Sequence, residues 1–297
     1  MKPSGNKYRS GTEAAIALLL ALLLAFSIAG AAGCRSTPAD LSLPENGQPG
    51  VQTETPGENS TDTSEDEPAF SFIVCGDVHN NYGVFNHILE AARDVDFLII
   101  AGDLTGSGTS TELNKFRDVM ENSGVRYYAV PGNHDVATSP VEENYTRILG
   151  PPYQSFHHLN SFFVLIDNSS PDLGFYPAMR EWTRQELERA RGLDFDHVFA
   201  VCHVPPGFPY SRRTALTLSE GVKANDHLVP VLSEGGVDQL FCGHFHAFSQ
   251  WTQAGLTITI TGGAGAPLHV SEQSGGYHHY LLVEIRGRNI DQQTVRI

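Results

Sequence analysis

"VRYYAVPGNHD" occupies residues 125–135, and its reading decides the fold. The aromatic and β-branched run predicts a buried strand, which stops at Pro131-Gly132. Asn133, His134 and Asp135 follow with no spacer. Polar side chains crowded at the end of a buried strand are costly unless they bind something. The same design repeats upstream. "STELNKFRDVMENSG" (110–124) predicts a helix with Gly124 as its C-cap, and "DFLIIAGD" (96–103) a second buried strand ending at Gly102-Asp103. "GVFNHILEAARD" (83–94) sets Phe85, Ile88, Leu89 and Ala92 at helical spacing, and "AFSFIVCGD" (69–77) is a strand that again ends at Gly-Asp. This strand–helix alternation implies an α/β fold with a parallel sheet and right-handed crossovers.

Downstream, "SFFVLID" (161–167), "DHVFAVCH" (196–203) and "VDQLFCGHFH" (237–246) predict strands. "AMREWTRQELERARG" (178–192) predicts an amphipathic helix with Trp182 and Leu187 on its core face, and "NDHLVPVLSEGG" (225–236) a helix interrupted at Pro230. "LTITITGG" (256–263), "YHHYLLVEI" (277–285) and "DQQTVRI" (291–297) give an all-β end. "TGGAGAPL" (261–268) is expected to be a tight connection near the strand ends, because no helix follows to make it an anion cradle. His157/His158 and His278/His279 are neighbours on strands, so the members of each pair point to opposite faces. They are expected at the surface.

The first 68 residues are of a different kind. Lys2, Lys7 and Arg9 precede an uncharged apolar run from Ala14 to Cys34. A basic start, an apolar core and small residues before a break predict an export signal over residues 1–33. "AAGC" resembles a bacterial lipobox, which would make Cys34 a lipidated N-terminus. The alternative is an uncleaved signal anchor. Either way the rest of the chain is expected outside the cytoplasm, anchored at the membrane. Residues 34–68 are expected to be a disordered linker rich in Pro, Ser, Thr and acid. The chain carries −15 in all. Residues 1–33 hold +2 and residues 34–68 hold −7, which leaves about −10 on residues 69–297. That balance argues against a nucleic-acid-binding surface. Cys75, Cys202 and Cys242 sit in apolar runs at no zinc or disulfide spacing and are expected to be buried, inert thiols.

Five apolar strands therefore end in residues of metal-ligand type: "CGDVH", "AGDL", "PGNHD", "CHVP" and "CGHFH". Ligands of open α/β sheets bind outside the carboxyl ends of the strands, so the five clusters are expected to meet at one edge. Asp77, His79, Asp103, Asn133, His203, His244 and His246 offer imidazole and oxygen donors without thiolate. That set suits zinc, iron or manganese rather than calcium. Seven donors exceed one tetrahedral site and suit two adjacent ions, about 3.5–4 Å apart, that share a carboxylate.

In this order, Asp77-x-His79, Gly102-Asp103, Gly132-Asn133-His134-Asp135, His203 and Gly243-His244-x-His246 resemble the motif series of the calcineurin-like metallophosphoesterase superfamily. The resemblance covers most of residues 70–262. It implies a four-layer α/β/β/α sandwich with two mixed sheets, spanning residues 69–297. It implies that Asp77, His79 and His246 hold one divalent or trivalent ion (manganese, iron or zinc), that Asn133, His203 and His244 hold the other, and that Asp103 bridges them. A metal-bound hydroxide would hydrolyse a small phosphate ester, monoester or diester, with His134 as acid toward the leaving oxygen. No further cofactor is expected.

Gly106 stands where Ser/Thr protein phosphatases carry a second Asp and where purple acid phosphatases carry a Tyr ligand. Neither of those sites is expected, and Asp135 is a candidate to orient His134 instead. Residues 102–135 are similar to the class III cyclic-nucleotide phosphodiesterase group. Arg212 and Arg213 after His203, with Phe208 and Tyr210, are candidates for substrate contact or an ordinary exposed loop. Two alternatives to a small-ester hydrolase remain: an inactive scaffold of the same fold, and a hydrolase of lipid or cell-envelope phosphate esters.

Overall fold

The computed structural model describes residues 69–141, 143–208 and 220–297, all within one compact unit, Thr63–Ile297. The expected export segment, Cys34, the linker, Tyr210, Arg212 and Arg213 lie outside the described residues. Among the described residues no helix is long and apolar enough to cross a membrane.

Two sheets form the centre. The first contains β1 (Ala69–Cys75), β2 (Phe97–Ala101), β3 (Tyr127–Val130), β10 (His279–Arg286) and β11 (Asn289–Arg296), in the order β11-β10-β1-β2-β3. β1, β2 and β3 are parallel, and β10 and β11 are antiparallel additions. The second sheet contains β4 (Gln154–His158), β5 (Ser161–Leu165), β6 (His197–Cys202), β7 (Gln239–Cys242), β8 (Phe248–Gln253) and β9 (Leu256–Thr261), in the order β4-β5-β6-β7-β9-β8. β5, β6, β7 and β9 are parallel, with antiparallel β4 and β8 at the edges.

The two-residue period of a strand sorts each apolar run onto two faces. Phe72 and Val74 of β1, Phe97 and Ile99 of β2, Phe199 and Val201 of β6 and Phe241 of β7 fill the space between the sheets. The Phe72 ring lies 5.3–6.3 Å from those of Phe97, Phe163, Phe199 and Phe241. The alternate residues Ile73, Cys75, Leu98 and Ile100 face α1 (Tyr82–Ala91) and α2 (Ser110–Ser123). Phe162, Ala200, Leu240 and Ile258 face α4 (Pro177–Gly192) and α6 (Leu228–Glu234), where Leu187 is core and Trp182 packs at its edge. Each sheet is thus covered by helices on its outer face, which is the four-layer α/β/β/α order. Burying both faces explains why these strands are near-continuous apolar runs. α2 begins at a capping box between Thr109 and Glu112 and ends at Gly124, whose φ of 68° is left-handed.

Some expectations are corrected. The 225–236 helix does not break at Pro230. The break falls at Asp226-His227, between α5 (Glu220–Asn225) and α6, and Pro230 sits in the first turn of α6. An N–H there has no intrahelical partner to lose. His279 is not at the surface: it is fully buried, in phase with Leu281, Val283 and Ile285 on the inner face of β10. A short helix, α3 (Tyr145–Leu149), and the half-exposed edge strand β8 carry no strong periodicity of their own.

Candidate metal centre

The carboxyl ends of β1, β2, β3, β6 and β7 place their polar residues together. The turn backbone there is unusual. Asp77, His79, Asp103 and His244 have φ of 65°, 46°, 52° and 70°, a region that non-glycine residues seldom occupy. Such strain persists when the surroundings over-determine it. Here Asp77 N–H donates to the Gly102 carbonyl (3.0 Å), His79 N–H to that of Asp103 (3.1 Å), and His244 N–H to the Asp77 carboxylate (2.9 and 3.0 Å). Gly132 and Gly243 are needed for close approach. A Cβ at Gly132 would lie 2.1 Å from Asp103 Oδ1, and one at Gly243 would lie 2.4 Å from the Ala101 carbonyl oxygen.

Two donor groups result. Asp77, His79, Asp103 and His246 offer one ligand atom each, all within 4.8 Å of one another, and so do Asp103, His203 and His244. Asp103 belongs to both. Its Oδ2 lies 3.0 Å from His79 Nε2 and 3.3 Å from His203 Nε2. His246 Nε2 lies 3.4 Å from Asp77 Oδ1. Asn133 Oδ1 is 3.1 Å from His203 Nε2, and His244 Nδ1 is 3.2 Å from the same nitrogen. All seven candidate ligands therefore converge, although 169 positions separate Asp77 from His246 in the chain.

The donor set fits metal ions. His203 Nδ1–H donates to the Ala101 carbonyl (2.9 Å) and His246 Nδ1–H to that of Pro267 (2.6 Å). With that tautomer fixed, each Nε2 presents its lone pair inward, as backbone-tethered imidazole ligands do. Around His203 Nε2 stand Asn133 Oδ1, Asp103 Oδ2 and His244 Nδ1, a set of atoms that could hold a cation among them. The electrostatics agree. Burial opposes charge on His203, but the Asp103 carboxylate, with Asp77 and the Ala101 carbonyl, pushes its pKa up to about 10. Burial likewise opposes charge on His246, and Asp77 raises its pKa. Burial raises that of Asp103, yet His203 and His79 hold it well below the usual carboxylate range. The site is built to favour positive charge at its centre.

His134 stands beside the donors, its ring 4.5 Å from that of His79. Its N–H donates to Asp103 Oδ1 (2.8 Å), and its Nδ1–H donates to the Gly106 carbonyl (2.8 Å). Asp135 does not orient it, against the expectation raised above. Asp135 is buried, with both oxygens committed to backbone and hydroxyl donors. Oδ1 accepts from Thr105 N–H and Oγ1–H, and Oδ2 from Leu104 N–H and Gly132 N–H. It clamps the loop after β2 to the loop after β3. Burial, and then the neighbouring Asp103 charge, push its pKa up to about 6.

Several supporting residues have weak sequence signals. Asn168, just past β5, accepts the N–H groups of His203 and Val204 (3.0 and 3.1 Å) and donates to the Val204 carbonyl (2.8 Å). Asp167-Asn168 after "SFFVLI" is a further polar strand end, and that signal could have found it. Asn80 donates to Glu112 (2.7 Å) beside Gly106. The 261–268 segment is a tight connection: Ala264 and Ala266 N–H groups donate to the Gly76 and Asp77 carbonyls (3.0 and 2.9 Å), and Asn81 donates to Gly265 (2.7 Å).

Comparison with known proteins agrees with this geometry. Residues 70–248 match the model of the calcineurin-like phosphoesterase family. The chain is 22% identical over 230 residues to the serine/threonine-protein phosphatase CPPED1 of Danio rerio, covering 68% of this chain and 73% of that one. It is 25% identical over 223 residues to a "probable cyclic nucleotide phosphodiesterase" of Ruthia magnifica subsp. Calyptogena magnifica, covering 71% and 87%. Its fold is similar to that of purple acid phosphatase PPD1 from yellow lupin (Lupinus luteus) seeds, with a TM-score of 0.59 at 13% identity over 77% of this chain and 52% of that one. The chain belongs to the calcineurin-like phosphoesterase family and is a metallophosphoesterase.

Proposed function

We propose that this metallophosphoesterase is a dinuclear phosphodiester hydrolase tethered outside the cytoplasm by its N-terminal segment. One observation carries the catalytic part: two donor groups share Asp103, with His134 beside them. Asp77, His79 and His246 would hold one ion, Asn133, His203 and His244 the other, and Asp103 both. When bound, the two ions supply Lewis acidity toward the phosphoryl oxygens. They also offset the acidic charge of residues 69–297 where an anionic ester must sit. The protein's own work is positional. The Ala101 and Pro267 carbonyls fix two ligand tautomers, and Asp135 holds the two loops that carry Asp103 and His134. His134, tethered through Nδ1, presents Nε2 to the leaving oxygen and delivers a proton there as a general acid.

The diester preference is supported by the likeness of residues 102–135 to the class III phosphodiesterase group and by the relative from Ruthia magnifica. A monoesterase reading is favoured by the relative named as a serine/threonine-protein phosphatase. Manganese-loaded protein is expected to hydrolyse bis(p-nitrophenyl) phosphate faster than p-nitrophenyl phosphate or a phosphopeptide, and to stop on chelation. Hydrolysis that survives chelation would overturn the dinuclear mechanism, and the reverse substrate order would favour the monoesterase. The tether rests on the basic-apolar start and "AAGC". Mass spectrometry that found the mature chain uncleaved before Cys34, with Cys34 unmodified, would exclude lipidation and leave the signal anchor.

A further inference from the structure

The Gly106 carbonyl that holds His134 has a support of its own. A Cβ placed on Gly106 would lie 3.2 Å from Asn80 Nδ2 and 3.4 Å from Glu112 Oε1, so the residue rests directly against that pair. The pair is itself bonded: Asn80 Nδ2–H donates to Glu112 Oε1 (2.7 Å) across 32 positions of sequence. Each partner is fixed from its own side. Glu112 lies in the first turn of α2 and closes the capping box, its Oε2 accepting from Thr109 N–H (3.2 Å) and Oγ1–H (2.8 Å). Leu113 and Phe116 anchor that helix in the core. Burial opposes charge on Glu112, but its bonds from Thr109, Asn80 and the Ser107 main chain hold its carboxyl below the usual value, so it is a carboxylate at neutral pH. Asn80 directly follows His79. Its φ of 61° is left-handed, a region that Asn enters more readily than most residues, and its N–H donates to the Leu104 carbonyl (3.4 Å). A capping box needs only one carboxylate oxygen. The second oxygen of Glu112 is committed instead to the turn after β1, at the point where Gly106 packs.

We propose that Asn80 and Glu112 are positioning residues for His134: their hydrogen bond is the surface on which Gly106 rests, and through the Gly106 carbonyl it sets where the imidazole stands. This role rests on the reading of His134 as the acid toward the leaving oxygen and adds what places it. Proton transfer requires Nε2 within about 2.6–3.2 Å of that oxygen. A misplacement of about 1 Å, caused from outside the reacting groups, can lower the rate by about 10²-fold. Asp135 anchors Leu104 and Thr105. Gly106 comes next, is partly exposed, and has the Asn80–Glu112 pair as its backing. The His134 main chain is held separately, by Asp103 Oδ1. Loosening Gly106 therefore frees the ring while leaving the strand end in place.

The test compares methyl p-nitrophenyl phosphate with methyl phenyl phosphate as substrates of the full-length, manganese-loaded chain. The two diesters differ in how much the leaving oxygen needs a proton, phenolate being the poorer leaving group. Their kcat ratio does not depend on how much of a preparation is folded. His134→Ala should shift the ratio furthest toward the nitrophenyl ester. Asn80→Ala and Glu112→Ala should each shift it the same way by about tenfold, with KM little changed. Glu112→Gln should keep most of the unmodified ratio, because Gln serves in a capping box and Asn80 can turn its amide to accept from the new NH₂. In the His134→Ala background, Glu112→Ala should change the ratio by less than about twofold, since it acts only through the missing ring. A disturbed metal centre would instead lower both rates, with or without His134. Unmoved ratios in both Asn80→Ala and Glu112→Ala, a Glu112→Gln ratio like that of Glu112→Ala, or an equal shift with His134 absent would overturn the positioning role and leave the phosphoesterase reading in place. A ratio unmoved by His134→Ala would overturn the acid reading and this role with it. Hydrolysis of neither diester by the unmodified protein loaded with manganese, zinc or iron would overturn both.

Discussion

His134 is held by main chain rather than by an acid: its Nδ1–H donates to the carbonyl oxygen of Gly106 at 2.8 Å. A neutral carbonyl orients the ring, and with Nδ1 engaged there Nε2 is the working nitrogen. If His134 is the acid toward the leaving oxygen, its worth depends on how much that oxygen needs a proton. His134→Ala is expected to lower kcat by about 10²–10⁴-fold for an alkyl leaving group. The loss should be far smaller for p-nitrophenolate, which leaves without protonation, and KM should change little for either. Equal losses with both leaving groups would remove His134 from proton transfer.

Asp135 acts on the fold rather than on the reaction. Its carboxylate takes four donors from two loops. Asp135→Asn replaces one acceptor oxygen with an NH₂ that faces donors, leaving buried N–H groups unsatisfied. A loss of about 2–4 kcal/mol in unfolding free energy is expected by denaturant titration. Activity measured well below the transition should fall much less than it does in His134→Ala with an alkyl ester. An unchanged midpoint would show that the clamp is dispensable.

Cys202 and Cys242 are register partners on β6 and β7, with sulfurs 3.7 Å apart, and they directly precede His203 and the Gly243-His244 turn. Burial pushes the thiols of Cys75 and Cys242 well above their ordinary value. Cys75, Cys202 and Cys242 are fully buried, so their sulfurs are shielded from a reagent in solution. Native protein is expected to leave Cys75, Cys202 and Cys242 unlabelled by an aromatic disulfide reagent over minutes, with all three labelled in denaturant, as read by peptide mass mapping. Rapid labelling of Cys202 or Cys242 in the native state would show that the second sheet opens locally.

Much of this architecture was legible in the chain because of how the strands are buried. A strand covered on both faces is a continuous apolar run, so a polar residue at its end is conspicuous. Asp77, Asp103, Asn133, His203 and His244 were all visible for that reason. The supports were not. The Gly106, Ala101 and Pro267 carbonyls orient three histidines, and a carbonyl leaves no mark on residue identity. His279 was misplaced for a different reason. Alternation sets His278, just before β10, and His279, its first residue, on opposite sides but does not by itself say which side is covered. The phase of Leu281, Val283 and Ile285 does say it. Asp135 was ambiguous because Asn-His-Asp is compact in sequence, whereas the strand end turns its three side chains toward three different partners.

The Asp103–His203 pair makes the metal dependence testable through stability as well as rate. Ions that bind the folded donors but not the unfolded chain add stability by mass action, about 2.7 kcal/mol at a hundredfold excess over Kd. For a domain of this size that is roughly a 5–10 °C rise in Tm. Adding manganese or zinc to chelated protein is expected to produce such a rise. Asp103→Asn removes the carboxylate common to both donor groups and should abolish most of it, along with hydrolysis. A metal-induced rise in Asp103→Asn equal to that of the unmodified protein would show that Asp103 does not bridge.

His279 gives a pH dependence separate from the metal centre. It is fully buried, its Nδ1–H donates to the Tyr277 carbonyl (2.8 Å), and its Nε2 has no hydrogen-bond partner. Protonating Nε2 would create a buried donor with nothing to accept it. Burial, with the nearby His278 and Arg296, lowers its pKa from 6.5 to about 4. The folded value lies below the unfolded one, so both states are neutral above about pH 6.5 and the contribution of His279 is then fully present. As pH falls from about 6.5 to about 4, the unfolded chain takes up a proton that the fold refuses, and stability drops. The whole loss amounts to about 3 kcal/mol. The measurement is the difference in unfolding free energy between the unmodified protein and His279→Phe, taken in chelator at pH 7.5, 6, 5 and 4.5. Phenylalanine keeps the ring contacts with Phe248 and Tyr277 and cannot titrate. The variant should be the less stable of the two at pH 7.5, having lost the bond to Tyr277, and should gain on the unmodified protein steadily as pH falls. Subtracting the two curves cancels the titration of every other group that both proteins share. A difference that stays constant from pH 7.5 to 4.5 would mean that His279 takes its proton in the fold as readily as in the unfolded chain, which a fully buried, unpartnered Nε2 does not allow.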